Sequence, residues 1–153
     1  MKPHKVVLQL STQRCWIDET APRHQRLCID IESLTLDVRA VLENVEHLKY
    51  LSIVSLQELI TAYRTKGLLS NIWKTEAEMI SFVLNDPSVE IDNTDINVIR
   101  TLASLQINEA QDHKDPFDHI IISQAISHKL TLISSDTKFP FYRKQGLKLI
   151  ENY

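Results

Sequence analysis

Short apolar runs alternate with segments of helical periodicity along most of this 153-residue chain, and that alternation constrains the fold more than any other feature. The strand candidates are Val6-Val7-Leu8-Gln9-Leu10, Tyr50 to Val54, Val89-Glu90-Ile91, Leu130-Thr131-Leu132-Ile133 and Leu147-Lys148-Leu149-Ile150. Between them, Val38, Val41, Leu42, Val45 and Leu48 follow Leu36 at three- and four-residue steps, which predicts one helix face. Leu56, Leu59, Ile60 and Tyr63 form a second such set, stopped by Gly67, and Trp73, Ala77, Ile80, Val83 and Leu84 a third, stopped before Asp86-Pro87. A fourth helix is expected from Asn93-Thr94 through Ile96, Ile99 and Leu102, and a fifth from Phe117 to His128. Ile120-Ile121-Ile122 points in several directions, so the fifth helix should pack on more than one side. Helices inserted between strands require crossovers, so the fold class is α/β with a parallel sheet covered on both faces. Residues 13–30, with Pro22 amid mixed charges, carry no clear period.

Open parallel sheets bind ligands beyond the carboxyl ends of their strands, which directs attention to acids just after the predicted strands. Three qualify: Glu58 after Tyr50 to Val54, Asp118 at the start of the helix opened by Asp115-Pro116, and Asp136 after Leu130 to Ile133. Each has an ordinary explanation. Ser55-Leu56-Gln57-Glu58 matches a capping box, Asp118 stands three residues after the expected N-cap Asp115, and Asp136 fits a turn. Taken together they are harder to dismiss, because grouped carboxylates repel unless a cation neutralises them. Hard oxygen ligands suit Mg²⁺ or Mn²⁺, and such an ion can clamp a phosphodiester oxygen and acidify a bound water.

Composition removes several alternatives. With Gly67 and Gly146 the only glycines, no glycine-rich phosphate loop can be built. No apolar run approaches the roughly 18 residues of a membrane span, and the start Met1-Lys2-Pro3-His4-Lys5 leads only into a short apolar run, so no membrane association and a cytoplasmic location are expected. Cys15 and Cys28 are too few for a disulfide framework; with His24 they offer a weak zinc alternative that lacks a C-x-x-C pair. The net charge of −3 is uneven: residues 1–30 hold five Lys/Arg against three Asp/Glu, leaving 12 against 17 in the rest. An acidic body must meet a polyanion through a local basic patch or through cations. Lys138, Arg143, Lys144 and Lys148, beside Phe139, Phe141 and Tyr142, are candidates for such a patch, though runs of this kind are commonly solvated faces.

The segment His113-Lys114-Asp115-Pro116-Phe117-Asp118-His119-Ile120-Ile121-Ile122-Ser123-Gln124-Ala125 closely resembles the H-x-D-P-F-D signature of PIN domains of the VapC-like toxin type. Its flanks are similar too: Leu130 to Asp136 looks like the family's "T-L-V-T-x-D" strand and acid, Tyr50 to Leu59 like its second strand and glutamate, and Lys66-Gly67-Leu68 like the end of the next helix. The likeness covers about residues 34–150 and implies a three-layer α/β/α fold in one domain over 1–153, with 1–33 atypical. It further implies a metal-dependent ribonuclease acting on RNA, a small antitoxin partner and a homodimer. By that resemblance Glu58, Asp118 and Asp136 are metal ligands, Asp115 is a supporting acid or cap, and His113 and His119 lie near the site without an assigned role.

One departure stands out. The family's first strand ends in an aspartate that serves as a metal ligand, whereas Val6 to Leu10 is followed by Ser11-Thr12-Gln13-Arg14-Cys15-Trp16-Ile17, with no carboxylate before Asp18. Ser11 or Leu10 takes the expected place, and a neutral serine can only hydrogen-bond a metal-bound water. Asp18, Glu19 or Asp30 are alternative sources of the acid, and a replaced or out-of-frame N-terminal stretch is a third explanation. The loss supports a rival expectation, an inactive PIN fold that binds antitoxin or RNA without cutting.

Overall fold

A computed structural model describes residues 5–8, 34–67 and 69–152. Its strands are β1 (Lys5–Leu8), β2 (Leu48–Ser52), β3 (Val89–Asp92), β4 (Thr131–Ser134) and β5 (Lys148–Glu151). The helices are α1 (Leu36–Glu43), α2 (Ile53–Lys66), α3 (Glu76–Leu84), α4 (Ile96–Ser104) and α5 (Pro116–Ser127), with 3-10 turns at Glu109–Gln111 and Phe139–Gln145. The five strands form one sheet in the order β3-β2-β1-β4-β5, every pair parallel. Val7 stands opposite Tyr50 on one side and Leu132 on the other, so β1 is the centre of the sheet.

Alternation along the strands sorts the core into two layers. Leu51 and Ile133 face Val38 of α1, Leu56 and Leu59 of α2, and Met79 and Val83 of α3. Their neighbours Leu132 and Leu149 face Val54 in the first turn of α2, Ile121, Ile122 and Ala125 of α5, and Phe139 and Tyr142 of the second 3-10 turn. Helices therefore cover both faces, the expected three layers. Among the described residues no helix is long and apolar enough to cross a membrane.

Helix α5 is the element most fully specified by its own residues. Asp115 caps it through Oδ1, which accepts from the N–H groups of Phe117 (2.9 Å) and Asp118 (3.4 Å), and Pro116 occupies the first turn where its missing N–H costs nothing. It is buried on several sides, as its apolar run predicts. At the far end the Leu130 N–H returns to the Ala125 carbonyl (2.9 Å) across Lys129, whose left-handed φ of 57° lets the chain turn straight into β4.

Two boundaries differ from the sequence expectation. The first helix ends at Glu43 instead of running to Leu48: the Asn44 side chain accepts from the Glu46 N–H (2.9 Å) and its carbonyl from the His47 N–H (3.2 Å), a turn that leaves Val45 92% exposed. Helix α2 starts at Ile53, capped by Ser52, and not at a Ser55 cap. The Ser52 hydroxyl accepts from the Val54 N–H (3.1 Å) and donates to Gln124 Oε1, while Gln124 Nε2 donates to the Asp92 carbonyl (3.1 Å). This buried network outweighs the strand preference of the β-branched pair Ile53-Val54. It also moves Glu58 into the second helical turn, beyond reach of any capping box.

His128, the C-cap of α5, bridges Asp92 Oδ1 (2.8 Å) and Asp95 Oδ2 (3.0 Å), tying α5 to β3 and α4. Asp92 Oδ2 is buried with no hydrogen-bond partner among the described residues, so the imidazolium is the charge that compensates this carboxylate. Burial pulls the His128 pKa down, but the hydrogen bonds and charges of Asp95 and Asp92 prevail and hold it above 6.5. A raised histidine pKa adds stability that is complete below the unfolded value and disappears as pH climbs through the folded value. His128→Ala should therefore cost about 2 kcal/mol at pH 6 in urea unfolding, and clearly less at pH 8.5. A gap between the two proteins that is equal at both pH values would contradict this bridge.

Candidate metal centre

Asp118, Asp136 and His113 converge beyond the carboxyl ends of β2 and β4. One ligating atom from each lies within 4.8 Å of the others, and together they form a group able to hold a metal ion. Asp118 comes from the first turn of α5 and is 8% exposed. Asp136 follows β4 and is locked in a turn: its N–H donates to Ser134 Oγ (3.0 Å), and its Oδ1 accepts from the Lys138 N–H (2.7 Å). His113 precedes α5 and is 1% exposed, with Nε2 3.0 Å from Asp118 Oδ2.

Glu58 sits outside that tight trio but within its field. Burial, then the charges of Asp118 and Asp115, push its pKa up to about 7. Its Oε2 is buried with no hydrogen-bond partner among the described residues. Asp118 is likewise raised above the ordinary aspartate value by burial, with Asp115 and Asp136 adding repulsion that the His113 hydrogen bond only partly offsets. Neighbouring carboxyls that resist ionisation, one with an orphaned oxygen, are the electrostatic signature of a pocket short of positive charge. Carboxylate oxygens with an imidazole nearby suit a divalent cation.

The sequence-derived residues thus fall as follows. Asp118 and Asp136 are brought together, and Glu58 shares their potential. Asp115 is exposed and is the helix cap. His119, buried beside them, donates from Nε2 to the His113 carbonyl (3.1 Å), and burial lowers its pKa. Ser11, Leu10, Asp18, Glu19 and Asp30, and the trio Cys15, His24 and Cys28, lie outside the described residues.

Tyr142 and Asn108 belong to the site's surroundings and were not singled out by sequence for that role. Tyr142 OH lies 2.9 Å from His113 Nδ1 and accepts from the Asn108 N–H (3.2 Å). Nothing local signals this contact, since Tyr142 is 29 residues from His113 in a basic, aromatic stretch that reads as surface. In the fold Phe139 and Tyr142 are core, Arg143 pairs with Glu151 (2.7 Å) and Lys144 lies 4.0 Å over the Phe141 ring, so much of that stretch serves packing.

Comparison with known proteins agrees with this architecture. The PIN domain model matches residues 28–146. The fold is similar to DNA-bound VapBC from Salmonella typhimurium (TM-score 0.59, 19% identity, covering 98% of this chain and 99% of that one). It is also similar to VapBC-5 of Mycobacterium tuberculosis, a member of the VapBC family of toxin-antitoxin systems (TM-score 0.56, 19% identity, 97% and 99%). A third likeness is VapBC2 of Rickettsia felis, bound to a promoter DNA fragment (TM-score 0.53, 19% identity, 75% and 81%). No curated protein sequence matches the chain.

Proposed function

The chain belongs to the PIN domain family, and on that footing we propose that it is a metal-dependent ribonuclease, the toxin of a cytoplasmic toxin–antitoxin pair. The single PIN domain spans 1–153 in this reading. The observation that carries it is the buried Oε2 of Glu58, without a hydrogen-bond partner among the described residues and beside Asp118, because an orphaned carboxylate oxygen among other acids suits a visiting cation. Glu58, Asp118 and Asp136 would hold Mg²⁺ or Mn²⁺. A cation there would neutralise the three acids, clamp an RNA phosphodiester oxygen and lower the pKa of a bound water for in-line attack.

The chain's own residues do the arranging. Asp115 caps α5 and so fixes the angle at which Asp118 leaves it, and the Ser134 and Lys138 backbone contacts fix Asp136. The solved relatives are toxin–antitoxin assemblies, which supports a small antitoxin as partner. A homodimer is proposed with it, as the family resemblance implies.

The test is incubation of purified protein with structured and single-stranded RNA in Mg²⁺ or Mn²⁺, against EDTA. Cleavage should need the metal. The lack of an aspartate at the sequence position, Ser11 or Leu10, where the family carries its first ligand favours the second reading, a binding module without activity. That reading gains if no RNA is cut and calorimetry detects no Mn²⁺ binding.

A further inference from the structure

We propose that Tyr142 and His113 form a one-way hydrogen-bond relay that positions Asp118, so that His113 orients this carboxylate and does not itself ligate the cation. The inference rests on the reading of Asp118 as a metal ligand and adds a role to two residues outside it.

The direction of the relay follows from counting donors and acceptors. An ionised Asp118 only accepts, so His113 Nε2, 3.0 Å from its Oδ2, must carry a proton. The Tyr142 oxygen already accepts from the Asn108 N–H. Were His113 Nδ1 also a donor, that oxygen would take two protons, and the tyrosine's own O–H, which has no other hydrogen-bond partner among the described residues, would be left without an acceptor. With Nδ1 as acceptor, each group is used once: Asn108 N–H to Tyr142 oxygen, Tyr142 O–H to Nδ1 at 2.9 Å, Nε2–H to Asp118. The neutral imidazole then has no lone pair left for a metal, although its nitrogen lies within 4.8 Å of the Asp118 and Asp136 oxygens.

The ring is held in plane as well as in tautomer. His119 stands edge-on to it, ring centroids 4.8 Å apart, and bonds its carbonyl, while Phe139 lies 5.6 Å from it on a tilted ring. Three separated segments, the loop before α5, α5 itself and the second 3-10 turn, therefore fix a single carboxylate. Outer partners of metal ligands hold them in the productive rotamer, and their loss typically weakens metal affinity 10–100-fold.

Two measurements decide it. Nitrogen-15 NMR of metal-free protein reads the His113 tautomer, expected as Nε2–H with Nδ1 unprotonated in the wild type, and with Nδ1 partly protonated in Tyr142→Phe, where that nitrogen loses its donor. Free Mn²⁺ counted by electron paramagnetic resonance gives affinity: Tyr142→Phe should bind roughly tenfold more weakly, and His113→Ala 10–100-fold more weakly. His113→Gln should stay within a few-fold of wild type, since its amide can still donate to Asp118. A proton on Nδ1 in the wild type, or His113→Gln losing Mn²⁺ as fully as His113→Ala, overturns the relay. If His113→Ala does not fold, the wild-type and Tyr142→Phe spectra carry the decision. Wild type with the Nε2–H tautomer but no Mn²⁺ binding would leave the relay standing and defeat the metal reading alone.

Discussion

Asp118→Asn is expected to cut metal-dependent RNA cleavage on the order of a thousandfold or more, the scale on which charge-stabilising groups act on turnover. The same substitution should leave the fold intact. Asparagine keeps an oxygen that can accept from His113 Nε2, and it removes a carboxylate that burial and the nearby Asp115 and Asp136 make reluctant to ionise. A group whose folded pKa is raised above its unfolded value weakens the fold as pH rises past the unfolded value, so the neutral variant should melt at the same temperature or higher at pH 8. Loss of activity together with unchanged or improved melting separates a functional acid from a structural one. Full cleavage by Asp118→Asn would remove this residue from the chemistry.

Glu58→Gln should produce the second largest change, read in metal affinity. With the carboxyl pKa near 7, binding a cation below neutrality must expel a proton, so wild-type Mn²⁺ affinity should fall by up to about tenfold per pH unit as pH drops below 7. The glutamine variant should bind more weakly at pH 8 and lose most of that slope. Its stability should move the other way. In the wild type, the unfolded chain releases this proton near 4.5 while the folded chain keeps it to about 7, so rising pH across that window erodes stability, and Glu58→Gln should flatten the decline in thermal melting. An Mn²⁺ affinity with the same pH slope in both proteins would show that Glu58 is not the proton exchanged.

Much of this was visible in the residues themselves. Helix α5 announces its start, its cap and its multiple buried faces, because Asp115-Pro116 is a local signal and the isoleucine run allows no polar side. The parallel α/β order follows from the change of period between segments. Glu58 shows where local reading fails: Ser55-x-x-Glu58 satisfies a capping box on paper, yet Ser52 takes the cap because Gln124, 72 residues away, needs its hydroxyl in the core. The contact from Tyr142 to His113 was illegible for a related reason. Two residues separated by a whole helix and strand carry no shared period, and only closure of the sheet brings them to hydrogen-bond distance.

The central place of β1 has a consequence for biosynthesis. Its partner β4 lies over a hundred residues downstream, and Asp136 comes later still. A ribosome must therefore deliver the chain through β4 before the middle of the sheet can close. Parallel pairings between such distant segments assemble slowly, and a chain terminated before the end of β4 would lack Asp136 and leave the acidic cluster incomplete.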